Sequence, residues 1–490
     1  MRLLTFLPPL AVLLLPPCVG VHAFERFDPL QTEAISPAPP LLKPGQDAAF
    51  TPCQLPPADA AYDALQVVDL ALCQNPKTRE AWASARSQAA MVGVAQGAYL
   101  PTLDSKLASN QTRSSGDSTT QNSASLTFSW LLVDFGARSA TLENARQLLE
   151  AAAMTLDATV QTLFLSALQG YYNTQAARAA VTAAMESEKA SRESLSAAET
   201  RYQVGTGTPA DRLQAQTAWS QATLNRIKAE GTLKTALGTL ASLMGLDANQ
   251  PLRLAEIPDT LPDTRFDQQI ETLISEARER RPDLKAAEAQ LKATQANVDI
   301  AHASGLPRLS LAAGPSWQET RGSSNDLSKT GNAIGLTLTI PIFSGFDTTY
   351  KLRSAQARVE TVSAQREALR LQVALEVWNA WQNLQTATQT IRTTADLLAS
   401  AEQSERVALG RYKAGVGNIL DVLNAQSALA AARLQRIQAL LDWRISRATL
   451  AKAVGRVEAV RSDATNHQPL APSHETPAPQ RPPALPDSRW

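Results

Sequence analysis

Arg201-Tyr202-Gln203-Val204-Gly205 recurs as Arg411-Tyr412-Lys413-Ala414-Gly415. Each copy is followed by an aspartate (Asp211, Asp421), a glutamine (Gln216, Gln426) and a glycine (Gly245, Gly455). The offset is constant at 210 residues, as 411 − 201 shows. Upstream, Asn75-Pro76 matches Arg281-Pro282 and Leu100-Pro101 matches Leu306-Pro307, at an offset of 206, as 306 − 100 shows. Solenoid modules repeat every ~20–50 residues. This unit is the size of a domain and forms a tandem internal repeat.

Both units read in the same order. A helix of about 35 residues comes first, near 65–99 and 268–304, with Pro76 and Pro282 breaking it close to its start. Two strands follow. A very long helix is expected over about 138–203 and about 348–413. It stops at a turn, Gly205-Thr206-Gly207 or Gly415-Val416-Gly417, and a shorter helix returns to Gly245 or Gly455. At about 1.5 Å per residue, the long helix spans about 100 Å. The two shorter helices sum to nearly that length, so stacked end to end they can line it. Alanines such as Ala151-Ala152-Ala153 allow close axes.

The strand regions alternate. Ala124, Leu126, Phe128, Trp130 and Leu132 interleave with Ser125, Thr127 and Ser129. Leu309, Leu311, Ala313 and Trp317 interleave with small residues, and so do Ile334, Leu336, Leu338, Ile340 and Ile342. Period-two patterning over about ten residues gives one apolar and one small, polar face. A soluble sheet shows this too, but in an exported chain it fits a membrane β-barrel. The segments Gln111–Asn122 and Glu319–Asn332 read as exposed loops. Four strands cannot close a barrel, and an open edge cannot sit in lipid. Strands must therefore be pooled between copies. Two copies give eight and a filled interior; three give twelve, a lumen and twelve helical rods.

The remaining composition bounds the function. The chain has 490 residues with 46 basic and 46 acidic, so no net charge invites nucleic acid. No apolar run of about 18 residues follows the N-terminus, so no transmembrane helix is expected. Arg2, the apolar Leu3–Leu15 and the site Val21-His22-Ala23 make residues 1–23 a signal peptide. Lipidation at Cys18 is the rival reading, although Pro16-Pro17 departs from the small residues it needs. Residues 24–60 read as an extended segment, 61–250 as repeat 1, 251–267 as a linker, 268–456 as repeat 2 and 457–490 as a disordered Pro-rich tail. Cys53 and Cys73 form an even pair suited to a disulfide; two buried thiols are the alternative. His302 is the lone histidine in a structured region, so no metal or cofactor site is expected. No catalytic or nucleotide-binding constellation appears either, which leaves an enzyme without residues to stand on.

The chain resembles the TolC family of outer-membrane efflux and secretion channels from about residue 65 to 455. The carriers are the doubled unit, Leu131-Leu132-Val133-Asp134-Phe135-Gly136, Pro341-Ile342-Phe343-Ser344-Gly345 and the paired Arg-Tyr-x-x-Gly turns. The resemblance implies an α+β membrane protein, a homotrimer whose twelve-strand β-barrel takes four strands per chain. A long α-helical coiled-coil tunnel would continue it across the periplasm. It implies a passive conduit for drug efflux or type I protein secretion. The partners would be a periplasmic adaptor docking at Gly205, Gly207, Gly415 and Gly417, an inner-membrane ABC or proton-driven pump, and outer-membrane lipid. It also implies a constriction around Asp421, Asn424, Gly417 and Tyr412. At Asn424 and Gly417 the chain departs from members with an acidic and a basic residue there. Asp211 and Asp421 also read simply as helix-capping carboxylates. The competing function is a periplasmic coiled-coil structural protein without a channel.

Overall fold

The computed structural model describes residues 28–38, 61–114, 117–255, 269–322 and 327–456. The expected signal peptide, Cys18, Cys53, most of the linker and the Pro-rich tail lie outside the described residues.

The first half runs α1 (Ala64–Gln74), α2 (Pro76–Gly97), β1 (Thr102–Ser114), β2 (Asp117–Val133), α3 (Ala137–Gln203) and α4 (Pro209–Leu243). The second half has the same order: α5 (Ile270–Arg280), α6 (Pro282–Ala303), β3 (Arg308–Arg321), β4 (Leu327–Thr339), α7 (Asp347–Lys413) and α8 (Ile419–Val454). At 67 residues each, α3 and α7 are about 100 Å long. One stretch of α3 is apolar enough by composition to cross a membrane. Here α3 packs on α1, α2, α4, α6 and α8, and 33% of that stretch is buried within the chain. Its buried contacts include Ala140, Ala145, Ala151, Ala167 and Ala198, so the axes approach closely.

The shorter helices meet end to end beside the long ones. Asn75 makes the joint. It ends α1, accepts from the Lys77 amide at 3.0 Å to cap α2, and donates from Nδ2 to the Leu243 carbonyl at 3.0 Å. The turn after α4 abuts the same point, and a Cβ on Gly245 would sit 2.9 Å from the Gln74 carbonyl oxygen. In the second half Arg281 holds the joint instead. Its side chain is buried and pairs with Asp283 and with Glu376 of α7, both at 2.5 Å. Two apolar clusters frame these joints. One packs α1 (Val67, Val68, Leu72) on Leu163, Phe164 and Leu168 of α3. The other packs α5 on Val373, Val377 and Ala380 of α7.

The strands form one antiparallel sheet in the order β1-β2-β3-β4. They are longer than the alternation suggests: β1 and β2 pair from Thr102↔Ser129 out to Ser114↔Asp117. Much of Gln111–Asn122 and Glu319–Asn332 is therefore strand rather than loop. Alternating hydrophobicity reports what a strand faces, whereas backbone pairing continues where both faces are polar. At the other end β4 stops at Thr339, so Ile340 and Ile342 lie beyond the sheet. Each turn into a long helix uses a left-handed pair, Phe135-Gly136 and Gly345-Phe346. The two phenylalanines hold a conformation that bulky residues avoid.

Asn75→Ala removes a helix cap and the bond to Leu243 together. It should lower stability by about 1–2 kcal/mol. Chemical denaturation followed by the helical circular-dichroism signal measures this, and an unchanged midpoint would refute the joint.

Candidate functional site

Two places have the geometry for function: the sheet and the paired helix tips. Across the sheet, register aligns side chains into rows. Leu103, Phe128, Ala313 and Ile334 share one row, and Trp130, Leu311 and Leu336 another. This face is apolar and uncovered, with Leu103 66%, Leu107 79% and Ile334 80% exposed. The opposite face aligns Lys106, Ser125, Ser316 and Gly331. It is small and polar. Among the described residues β1 pairs with β2 alone, and β4 with β3 alone, so both outer edges are open.

At the other end of the long helices lie the tips. In the first, the amides of Thr206 and Gly207 both donate to the Arg201 carbonyl, at 2.8 and 2.9 Å. Gly205 takes φ +78°, and Gly415 takes φ +79° in the matching turn. That left-handed conformation suits glycine. A Cβ at either of these two meets nothing within 4 Å, so both face open space. Gly207 and Gly417 differ. A Cβ there would lie 3.0 Å from the Tyr202 amide nitrogen and 2.9 Å from that of Tyr412, so each lies tight against its own turn.

The two aspartates have separate environments. Asp211 accepts from the Thr208 amide at 3.1 Å while Thr208 Oγ1 accepts from the Asp211 amide at 3.2 Å, a reciprocal capping box. At the second tip, Asn418 Oδ1 accepts from the Leu420 amide at 3.1 Å. Asp421 is exposed there, and so is Asn424 one turn on, on the same side of α8.

Tyr412 is 4% exposed and packs with Ala198, Ala215, Ile419 and Val422. Arg201 of the first tip reaches it, donating from Nη1 to the Tyr412 carbonyl at 3.0 Å with the guanidinium 4.8 Å from the ring centre. Burial pushes the Tyr412 hydroxyl up, Arg201 opposes that rise, and Asp211 adds to it. Further along the same seam, Gln426 Nε2 donates to Ser194 Oγ at 3.0 Å and Arg433 pairs with Glu186 at 2.9 Å. Sequence reasoning used Arg201 and Gln426 as repeat markers and assigned them no role. Their repeated spacing from the turn was the available signal.

Cys73, near the end of α1, is buried and disulfide-bonded. Among the described residues, no cluster of three or more His, Cys, Asp or Glu is placed to hold a metal ion.

The family Outer membrane efflux protein matches residues 67–246 and again 273–456. Protein CyaE of Bordetella pertussis is 33% identical over 421 residues, covering 84% of this chain and 88% of that protein. Outer membrane protein TolC of Escherichia coli is 24% identical over 445 residues, covering 86% and 88%. The crystal structure of the outer membrane protein VceC from Vibrio cholerae superimposes with a TM-score of 0.69 at 20% identity, covering 80% of this chain and 96% of VceC.

Arg201→Ala removes a charged hydrogen bond and a cation–π contact between the tips. It should loosen their seam by about 1–3 kcal/mol. Limited trypsin digestion after the exposed Arg411 and Lys413 should accelerate. An unaltered cleavage rate would show that the contact holds nothing.

Proposed function

The chain belongs to the outer membrane efflux protein family, and from that premise we propose how its geometry serves as a channel. It is an outer-membrane channel of the TolC family, for efflux or secretion, extending into the periplasm. Three copies pool their strands into a twelve-strand barrel, and their long helices continue it as a tunnel. One observation carries this reading: a four-stranded sheet with an apolar outer face and two unpaired edges, continuous with rods about 100 Å long. β4 of one copy would pair with β1 of the next, and the Lys106–Ser125–Ser316–Gly331 face would line water. Phe343 and Phe346, in edge contact at 5.4 Å and both exposed, suit the membrane interface below the barrel.

The chain supplies no energy source of its own in this reading. A periplasmic adaptor and an inner-membrane ABC or proton-driven pump drive export of drugs or secreted protein. The open space around Gly205 and Gly415 gives the adaptor direct access to the turn backbone. Asp421, free of the capping role that Asp211 has, faces the axis with its two copies and forms an anionic ring. Asn424 lines the next level, and Gly417 adds no countercharge. Tyr412 holds the two tips of one chain together. Cys53 is the proposed partner of the disulfide-bonded Cys73, and non-reducing peptide mapping should recover the two as one linked peptide.

Heat-modifiable trimers in outer-membrane fractions test the assembly, and a monomer of unaltered mobility would favour a structural coiled-coil protein. In planar bilayers Asp421→Asn should weaken block of single-channel current by divalent cations; undiminished block would remove the ring. Gly205→Asn and Gly415→Asn keep a left-handed turn, which asparagine tolerates, while adding bulk. Both should lose export yet keep trimers. Normal export in both would place the adaptor elsewhere.

A further inference from the structure

Within one chain the first tip grips the second, and the set of gripping residues occurs twice. The grip consists of Arg201 on Tyr412 and Gln426 on Ser194, with Ala198 and Ala215 filling the space beside Tyr412. Tyr412, Gln426, Ser194, Ala198 and Ala215 are all buried by it. The repeat offset of 210 carries each residue to its counterpart, as 411 − 201 shows. Arg201 becomes Arg411, Tyr412 becomes Tyr202, Ser194 becomes Ser404 and Gln426 becomes Gln216. Ala198 and Ala215 become Ala408 and Ala425. These six residue types are retained, whereas Ile419 and Val422, which also pack on Tyr412, become Pro209 and Arg212.

In the chain the contacts of this second set are not made, although Ala425 is already buried and Ala408 packs beside the first grip. Arg411, Tyr202, Ser404 and Gln216 are all exposed. Tyr202 is 42% exposed where Tyr412 is 4%, and its ring carries Arg212 of its own hairpin at 5.5 Å. The halves are divided between the hairpins. The α3–α4 hairpin holds Tyr202 and Gln216; the α7–α8 hairpin holds Arg411 and Ser404. The first hairpin thus presents Arg201 and Ser194 inward, and the second presents their equivalents outward. Such complementarity is head-to-tail, and a head-to-tail contact with the right rotation closes a ring.

We propose that the exposed set forms the same clasp between chains, with Arg411 of one copy over Tyr202 of the next and Gln216 of the next copy bonded to Ser404. The occupant of this surface is a second copy of the chain, and the inference rests on the trimeric reading above. The tip then carries alternating clasps, one inside each chain and one between each pair of chains. The equivalence is confined to the tip. Arg433 and Glu186 pair within the chain at 2.9 Å, but their counterparts are Thr223 and Asp396, and Thr223 donates instead to Glu188 of its own hairpin at 2.7 Å.

Paired cysteines separate the possibilities. The double variant Arg411→Cys/Tyr202→Cys, in the full chain in outer membranes, is treated with a short bismaleimide and boiled before denaturing electrophoresis. Most of the protein should then run as covalent dimer and trimer. Arg201→Cys/Tyr412→Cys should link at monomer mass, and the four single variants should show no product between chains. If trimers survive in unboiled samples while the 411/202 pair links only within a chain or not at all, the inference is overturned. If unboiled samples contain no trimer, the trimeric reading itself has failed, and the inference with it.

Discussion

A peptide group facing hydrocarbon without a partner costs several kcal/mol, and a strand edge is a row of such groups. The sheet here has two edges, β1 and β4, with an uncovered apolar face between them. In water that face would aggregate; in lipid those edges would be intolerable. In the proposed assembly, pairing β4 to the β1 of another copy answers both demands. In that assembly the small, polar opposite face would enclose water, because its serines, glycines and alanines would leave the interior unfilled.

That constraint sets the task for the helices. In the proposed assembly the barrel of pooled strands is continued by rods whose number and length match around the ring. The long helices supply the length directly. The shorter ones reach it by stacking, and the stack needs a joint where a third helix can leave. Asn75 makes that joint in the first half by capping one helix and binding the last carbonyl of another, that of Leu243. In the second half Arg281 instead ties the joint to the long helix by charge, through Asp283 and Glu376, and buries its side chain to do so. A buried guanidinium is tolerable only when paired in this way. The clusters of α1 on α3 and α5 on α7 thicken the helical layer at the level of these joints.

The helices were legible in the sequence because their ends carry chemistry: Pro after Asn75 and Arg281, Gly at the tip, Gly after the return helix. The strands were legible only where one side faces lipid. Ser109 opposite Asn122, joined by a 2.7 Å hydrogen bond, is as much strand as Leu103 opposite Phe128, yet it carries no alternation. Asp104 and Lys106 hid the alternation of β1, whose place was read from the order of the repeat alone, since polar residues break the pattern. At the tips, sequence located the turns but not the contacts between them. Arg201 meeting Tyr412 joins residues 211 apart, and no local pattern reports a contact at that separation.

Duplication alone would have made two equal tips, and the cap residues make them unequal. Thr208 places its hydroxyl on the amide of Asp211, which returns the bond through its carboxylate. Asn418, with a longer and planar side chain, closes on Leu420 one residue earlier. The carboxylate that follows is then left out of the cap. Both helices keep an N-cap bond, but Asp211 adds the reciprocal bond of the capping box, which Asp421 does not make. One exchanged cap residue thus converts the same aspartate, at the same place in the repeat, from a structural group into an exposed charge. The difference between the halves is therefore local and chemical, and it falls at the end of the molecule where the two hairpins meet.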